Sequence, residues 1–217
     1  MASYNCIKHN RNTYSLSVMG DIALASHIYK FIQQFINNAN IDYDNNRVLF
    51  CAENVMTLKT KIIEQRQFSY NKCIKLIEDL TTQLTQLKQL GYGFYGIDID
   101  DILVINDNFI FCSSKYILPI FKETMFLTAP PDKPYFGNPE INQISVLPAE
   151  IHYKCVYYSL GCLVVFCLLN KYLLVGNEIK SQQEIEKILY PIHNTKIYWF
   201  IQRCLDDNVN KRRILLI

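Results

Sequence analysis

The 217-residue sequence lacks an excess of either charge: 22 Lys and Arg stand against 20 Asp and Glu, a formal net charge of +2. Nucleic-acid binding draws on clustered positive charge, and the basic residues here are scattered, with the terminal NKRRILLI too short to form a patch. No nucleic-acid partner is expected. Long hydrophobic runs are also missing. The uncharged stretch VYYSLGCLVVFCLL, Val156 to Leu169, ends at Asn170 and Lys171, whereas a spanning helix needs about 20 apolar residues. It predicts a fully buried core helix and no membrane partner. The opening MASYNCIKHN has no apolar core of a signal peptide, so the expected location is cytoplasmic. Close metal-ligand pairs are absent as well. Cys162 and Cys167 are five apart and the four histidines are dispersed, so neither a metal nor a cofactor is implied. Most of the eight cysteines lie inside apolar runs and read as buried free thiols of a reducing compartment. No internal repeat or low-complexity segment is present.

What is present is a core. Half the residues are hydrophobic and 19% are charged, the composition of a globular protein with a substantial interior, long enough for one large domain or two lobes. The hexapeptide GYGFYG, residues 91–96, fits the spacing G-x-G-x-x-G. A phosphate-binding loop of that kind needs a strand before it and a helix after it, so that free helix N–H groups face the phosphates. Here the order is inverted. Cys73, Ile77, Leu80, Leu84 and Leu87 share one face at helical spacing, with Lys75, Asp79, Gln83 and Gln86 opposite, so a helix precedes Gly91. Ile97, Ile99, Leu103 and Ile105 follow in strand or extended form. Gly91 therefore reads as a helix C-cap, and Gly93 and Gly96 as relief in a crowded loop.

The remaining elements fall into order along the chain. Asn5 to Lys8 ends a strand, Asp21 to Asn38 is a helix, Arg47 to Ala52 a strand, and Glu53 to Met56 a linker. Strands around LVI and FIFC flank a turn at Asn106 to Asn108. Prolines 130, 131, 134 and 139 make TAPPDKPYFGNPEINQ a loop. The buried helix 156–169, a polar helix Gln182 to Leu189 and a last helix Ile197 to Leu205 complete the chain. This order predicts an α+β protein with a small sheet-containing lobe and a mainly helical one.

From about Arg47 to Arg213 the sequence resembles a protein kinase. LFCAENVMTLK is similar to the kinase strand, connector and helix start, and FYGIDIDDILVI to the catalytic loop H-R-D-x-x-x-x-N with its apolar strand. GNPEI resembles the A-P-E element through Pro139 and Glu140. VYYSLGCLVVFCLL is similar to the D-x-W-S-L-G helix, matching at Ser159, Leu160 and Gly161. RCLDDNVNKRR resembles the closing segment in which Leu205 is followed seven residues later by Arg212. The resemblance implies a kinase-like two-lobe fold, with a truncated small N-terminal lobe over residues 1–53 and a helical lobe over 54–217. It also implies that Glu140 and Arg212 form a buried ion pair tying the substrate loop to the late helices.

The departures from the family fall on its chemistry. With Asp101 laid on the catalytic-loop Asn, Gly96 stands where the proton-accepting Asp belongs, and glycine accepts no proton. Ser113 or a neighbour occupies the place of the magnesium-binding Asp, and a hydroxyl is a poor substitute there. Lys8 in NCIK resembles the ATP-positioning lysine, but only seven residues precede it. The helix from Asp21 to Asn38 contains no Glu to pair with it, and Val156 replaces the Asp that braces the catalytic loop. Asp98, Asp100 and Asp101 alternate in a way that would let two of them share a divalent cation; the other reading is that they are solvated acids or caps. The resemblance thus implies a pseudokinase that binds a protein partner. An ATP-binding or active kinase with displaced acids stays open, as does a structural virion component. Abundant Ile (28), Asn (19) and Lys (16) against 6 Arg reflect A/T-rich codons, and large DNA viruses with such genomes encode chains of this look.

Overall fold

The computed structural model describes residues 3–175 and 178–216. Alternation sets its first elements. In TYSLSV, Tyr14, Leu16 and Val18 lie on one face and are buried, as expected of a strand with a covered side. β1 (Tyr4–Lys8) and β2 (Thr13–Val18) pair antiparallel. After α1 (Ile22–Phe35), β3 (Asn40–Asp42) and β4 (Arg47–Cys51) complete a sheet of order β1-β2-β4-β3. Asp21 caps α1 by accepting from the N–H groups of Ala23 and Leu24 at 2.7 and 3.2 Å. Ala25, Ile28, Tyr29 and Ile32 form its buried stripe. Tyr29 ties that stripe to the sheet: its hydroxyl donates to the Asn46 carbonyl at 2.6 Å and accepts from the Val18 N–H at 3.0 Å. The helix stops before the predicted Asn38, which takes φ 71°.

The next segment differs from expectation. β5 (Val55–Thr57) and α2 (Leu58–Gln65) follow, so the predicted linker 53–56 is partly strand. Its backbone is claimed by the Asn106 side chain, which accepts from Glu53 and Asn54 at 2.9 and 3.2 Å. α3 (Tyr70–Gln89) has the predicted apolar face, but Asp79 and Gln83, predicted opposite it, are also buried. Burial is tolerated because both are bonded: Lys75 Nζ lies 2.6 Å from Asp79, and the Gln83 amide donates to the Asp79 carbonyl at 2.9 Å.

β6 (Tyr92–Phe94) comes next, then the hairpin β7 (Ile102–Ile105) and β8 (Asn108–Phe111). Its two central residues, Asn106 and Asp107, have φ 48° and 65°, the left-handed conformation that tight hairpins need and that Asn and Asp tolerate. β9 (Ile117–Phe121), β10 (Thr124–Leu127), the single turn α4 (Pro139–Asn142) and β11 (Ala149–His152) follow. α5 (Cys155–Leu169) buries every residue from 155 to 168. β12 (Leu174–Val175), β13 (Glu178–Ile179), α6 (Gln182–Leu189) and α7 (Lys196–Cys204) end the list of regular elements.

The fold is mixed α+β, with seven α-helices among the described residues and small antiparallel sheets. The chain groups into two compact units, Met1–Glu64 with Ile99–Lys115, and Gln65–Asp98 with Tyr116–Ile217. The first contains the sheet β1-β2-β4-β3, α1 and the sheet β5-β7-β8. The second contains the sheet β11-β10-β9-β6 and the helices from α3 onward, with α5 as its core. Among the described residues no helix is long and apolar enough to cross a membrane. All eight cysteines are free thiols; six are buried, while Cys6 is half-buried and Cys51 exposed. Burial pushes the thiols of Cys73 and Cys162 up to about 12, which keeps them protonated and inert.

Candidate functional site

The glycine segment 91–96 is packed and bonded rather than open. Gly91 follows α3 at φ 84° and donates its N–H to the Lys88 carbonyl at 3.0 Å, closing the helix. A Cβ on Gly93 would lie 2.8 Å from Met125 Sδ, and one on Gly96 would lie 2.3 Å from Pro134 Cγ. Both glycines are therefore set by close approach. A phosphate cradle needs backbone donors aimed into space. Here the Tyr95 N–H donates to Tyr116 at 2.9 Å and the Ile97 N–H to Phe136 at 3.2 Å.

The three acids each have a different neighbour. The Tyr116 hydroxyl lies 3.5 Å from Asp98 Oδ2, Lys59 Nζ lies 2.9 Å from Asp100 Oδ2, and the Ser3 hydroxyl donates to Asp101 Oδ1 at 2.7 Å. Among the described residues no group of three or more His, Cys, Asp or Glu side chains is arranged to hold a metal. Ser113 is buried and its Oγ accepts from the Lys115 N–H at 3.1 Å.

Lys8, similar in sequence to the ATP-positioning lysine, is separated from α1 by β2, and β2 is the strand that enters α1. Lys8 instead sits on β1, at the edge of the sheet, exposed, with Nζ 5.6 Å from the Tyr14 ring centre. The cause is the TYSLSV alternation, which supplies a second strand before the helix. β2 itself contains no Lys, Arg or His.

Glu140 and Arg212, 72 positions apart, meet in a bidentate ion pair. Arg212 Nη2 lies 2.8 Å from Glu140 Oε1, and Nη1 donates to Oε2 at 3.0 Å. Arg212 is 1% exposed; its Nε donates to the Asp206 carbonyl at 2.8 Å, and its guanidinium lies 5.2 Å from the Tyr158 ring centre. Fork-to-fork geometry with a third acceptor and an aromatic face is the arrangement that makes a buried guanidinium tolerable. Burial drives the Tyr158 hydroxyl well above its ordinary range, so it stays neutral beside the pair.

Glu140 is positioned by a residue that the sequence reading passed over. Asn138 is 0% exposed and caps α4, its Oδ1 accepting from the Ile141 N–H at 3.0 Å. Its Nδ2 donates to the Tyr95 carbonyl at 2.8 Å and to Ser159 Oγ at 3.2 Å, and Ser159 in turn donates to Gly137 at 2.9 Å. One amide thus fastens α4, the segment after β6, and α5. The signal was available: Asn directly before Pro at a helix start is a capping signature. Gly161 has its own reason, since a Cβ there would lie 3.0 Å from Cys204 Cβ. It lets α5 and α7 approach closely. No protein-family model matches the chain, and no curated protein matches it significantly.

Proposed function

We propose that this chain is a catalytically inactive protein-kinase-like domain, a pseudokinase, that works by binding another protein. The observation that carries the reading is the buried pair of Glu140 and Arg212, joined across 72 positions with bidentate geometry. Two features of topology support it. A strand, a helix and two further strands run in the order β2, α1, β3, β4, with β2 and β4 as the inner strands of the sheet, an order compatible with a small kinase-like lobe. A tight hairpin, β7 and β8, directly follows the acidic segment, as expected after a catalytic loop.

Chemistry has no such support. Phosphoryl transfer needs a base for the hydroxyl proton, carboxylates for magnesium and a cation for the phosphates. Gly96 offers no side chain, Ser113 offers a hydroxyl already accepting from Lys115, and β2 contains no cation. The first test is direct. Incubated with labelled ATP, magnesium and generic protein substrates, the protein should transfer no label above the buffer control. Transfer that disappears in Asp98→Asn, Asp100→Asn or Asp101→Asn would replace this reading with that of an active kinase using displaced acids. Stable stoichiometric incorporation into particles would favour a structural virion role.

A further inference from the structure

A groove of about 490 Å³ opens beside α6, lined by Lys171, Tyr172, Lys180, Glu184, Lys187 and Ile188. Glu184 bonds two neighbours: its Oε2 accepts from the Ser181 N–H at 2.9 Å in a capping box and its Oε1 lies 3.8 Å from Lys180 Nζ, so Lys171 and Lys187 supply the groove's remaining positive charge. The apolar lining comes from Tyr172 and Ile188. The Tyr172 ring is held in place before anything binds, its hydroxyl 2.6 Å from that of Tyr135 and its ring centre 4.6 Å from that of Phe166 on α5. A fixed aromatic surface rimmed by lysines costs little to organise on binding.

Beyond Lys187 the surface continues into a second groove lined by Gln183, Glu186, Lys187 and Tyr190, where Tyr190 is 79% exposed. That continuation carries one charge of each sign. A uniformly charged polyanion would meet Glu186 there, whereas a peptide with acidic residues followed by apolar ones would match the lysines first and Tyr190 next.

We infer that the lysine-lined groove beside α6 takes an acidic segment of a partner protein whose continuation is apolar. The inference rests on the protein-binding reading and deepens it by naming the surface and the chemistry of the partner. Lys171 and Lys187 are exposed, so replacing them leaves the fold intact, which circular dichroism verifies.

The probe is a fluorescein-labelled synthetic peptide with four glutamates followed by four leucines, titrated into the full chain and followed by anisotropy. Saturable binding is expected, weakened about tenfold or more in the Lys171→Glu/Lys187→Glu double variant and by rising salt. Equal binding by wild type and double variant overturns the groove, as does no binding to wild type at millimolar protein. Equal competition by a single-stranded oligonucleotide overturns the peptide preference and marks a general polyanion surface. Crosslinked capture from the native source separates the two levels. A partner retained by the double variant sinks the groove while leaving protein binding in place, and no partner for either form sinks the binding reading itself.

Discussion

Arg212 shows how much one side chain can fasten. Its guanidinium contacts Glu140 from α4, the Asp206 carbonyl from the segment after α7, and the Tyr158 ring from α5. Removing Glu140 leaves a cation at 1% exposure with one carbonyl acceptor. Either Glu140→Ala or Arg212→Ala should cost ~3–5 kcal/mol, since each leaves an uncompensated charge. The double variant should cost less than the sum, because the unpaired charge is then gone. Denaturant unfolding of the four proteins measures this, and strict additivity would mean that the side chains do not interact. Both residues were legible in the sequence through their resemblance to family positions. Asn138 was not, because its importance lies in reaching Tyr95 and Ser159, which are 43 and 21 positions away. Local capping chemistry suggests such a residue but not its distant acceptors.

At the scale of elements, the contact of α5 with α7 is the tightest test of packing. A methyl group at position 161 would meet Cys204 Cβ at 3.0 Å and Leu205 Cδ2 at 3.2 Å. Gly161→Ala gains about 1 kcal/mol of helix propensity but overpacks a core where the penalty runs ~1–3 kcal/mol. Net destabilisation is expected, with a lower melting temperature. A higher one would mean that α7 can shift at no cost. The elements that could be read from sequence are those whose signal is internal. α3 and α6 carry helical periodicity, α5 is apolar throughout, and the β7 and β8 hairpin has a turn of Asn and Asp. β5 has only three residues, and its strand character comes from pairing with β7. β9 contains Pro119, and β10 and β11 are separated by the proline-rich segment before they pair. β2 is different, because its strand signal is local: Tyr14, Leu16 and Val18 recur at every second position.

For the whole molecule, nucleotide is the ligand that separates the competing readings. A ligand at a hundred times its dissociation constant adds about 2.7 kcal/mol of stability, and for a chain of this size each kcal/mol moves the melting point by roughly 2–4 °C. Millimolar ATP, with or without magnesium, should leave the thermal melt unchanged. A saturable, magnesium-dependent rise would restore the ATP-binding reading. The buried helix α5 has a consequence for how the protein is made. It has no polar side to present to water, and α7, which packs on it at Gly161, is synthesised later. At about 5–20 residues per second, the roughly 35 residues from the end of α5 to the end of α7 take about 2–7 s to translate. Throughout that interval α3 and β6, made earlier, can already pack on α5, but its face at Gly161 lacks the helix that will cover it, so the growing polypeptide keeps one apolar strip open to chaperones until α7 emerges.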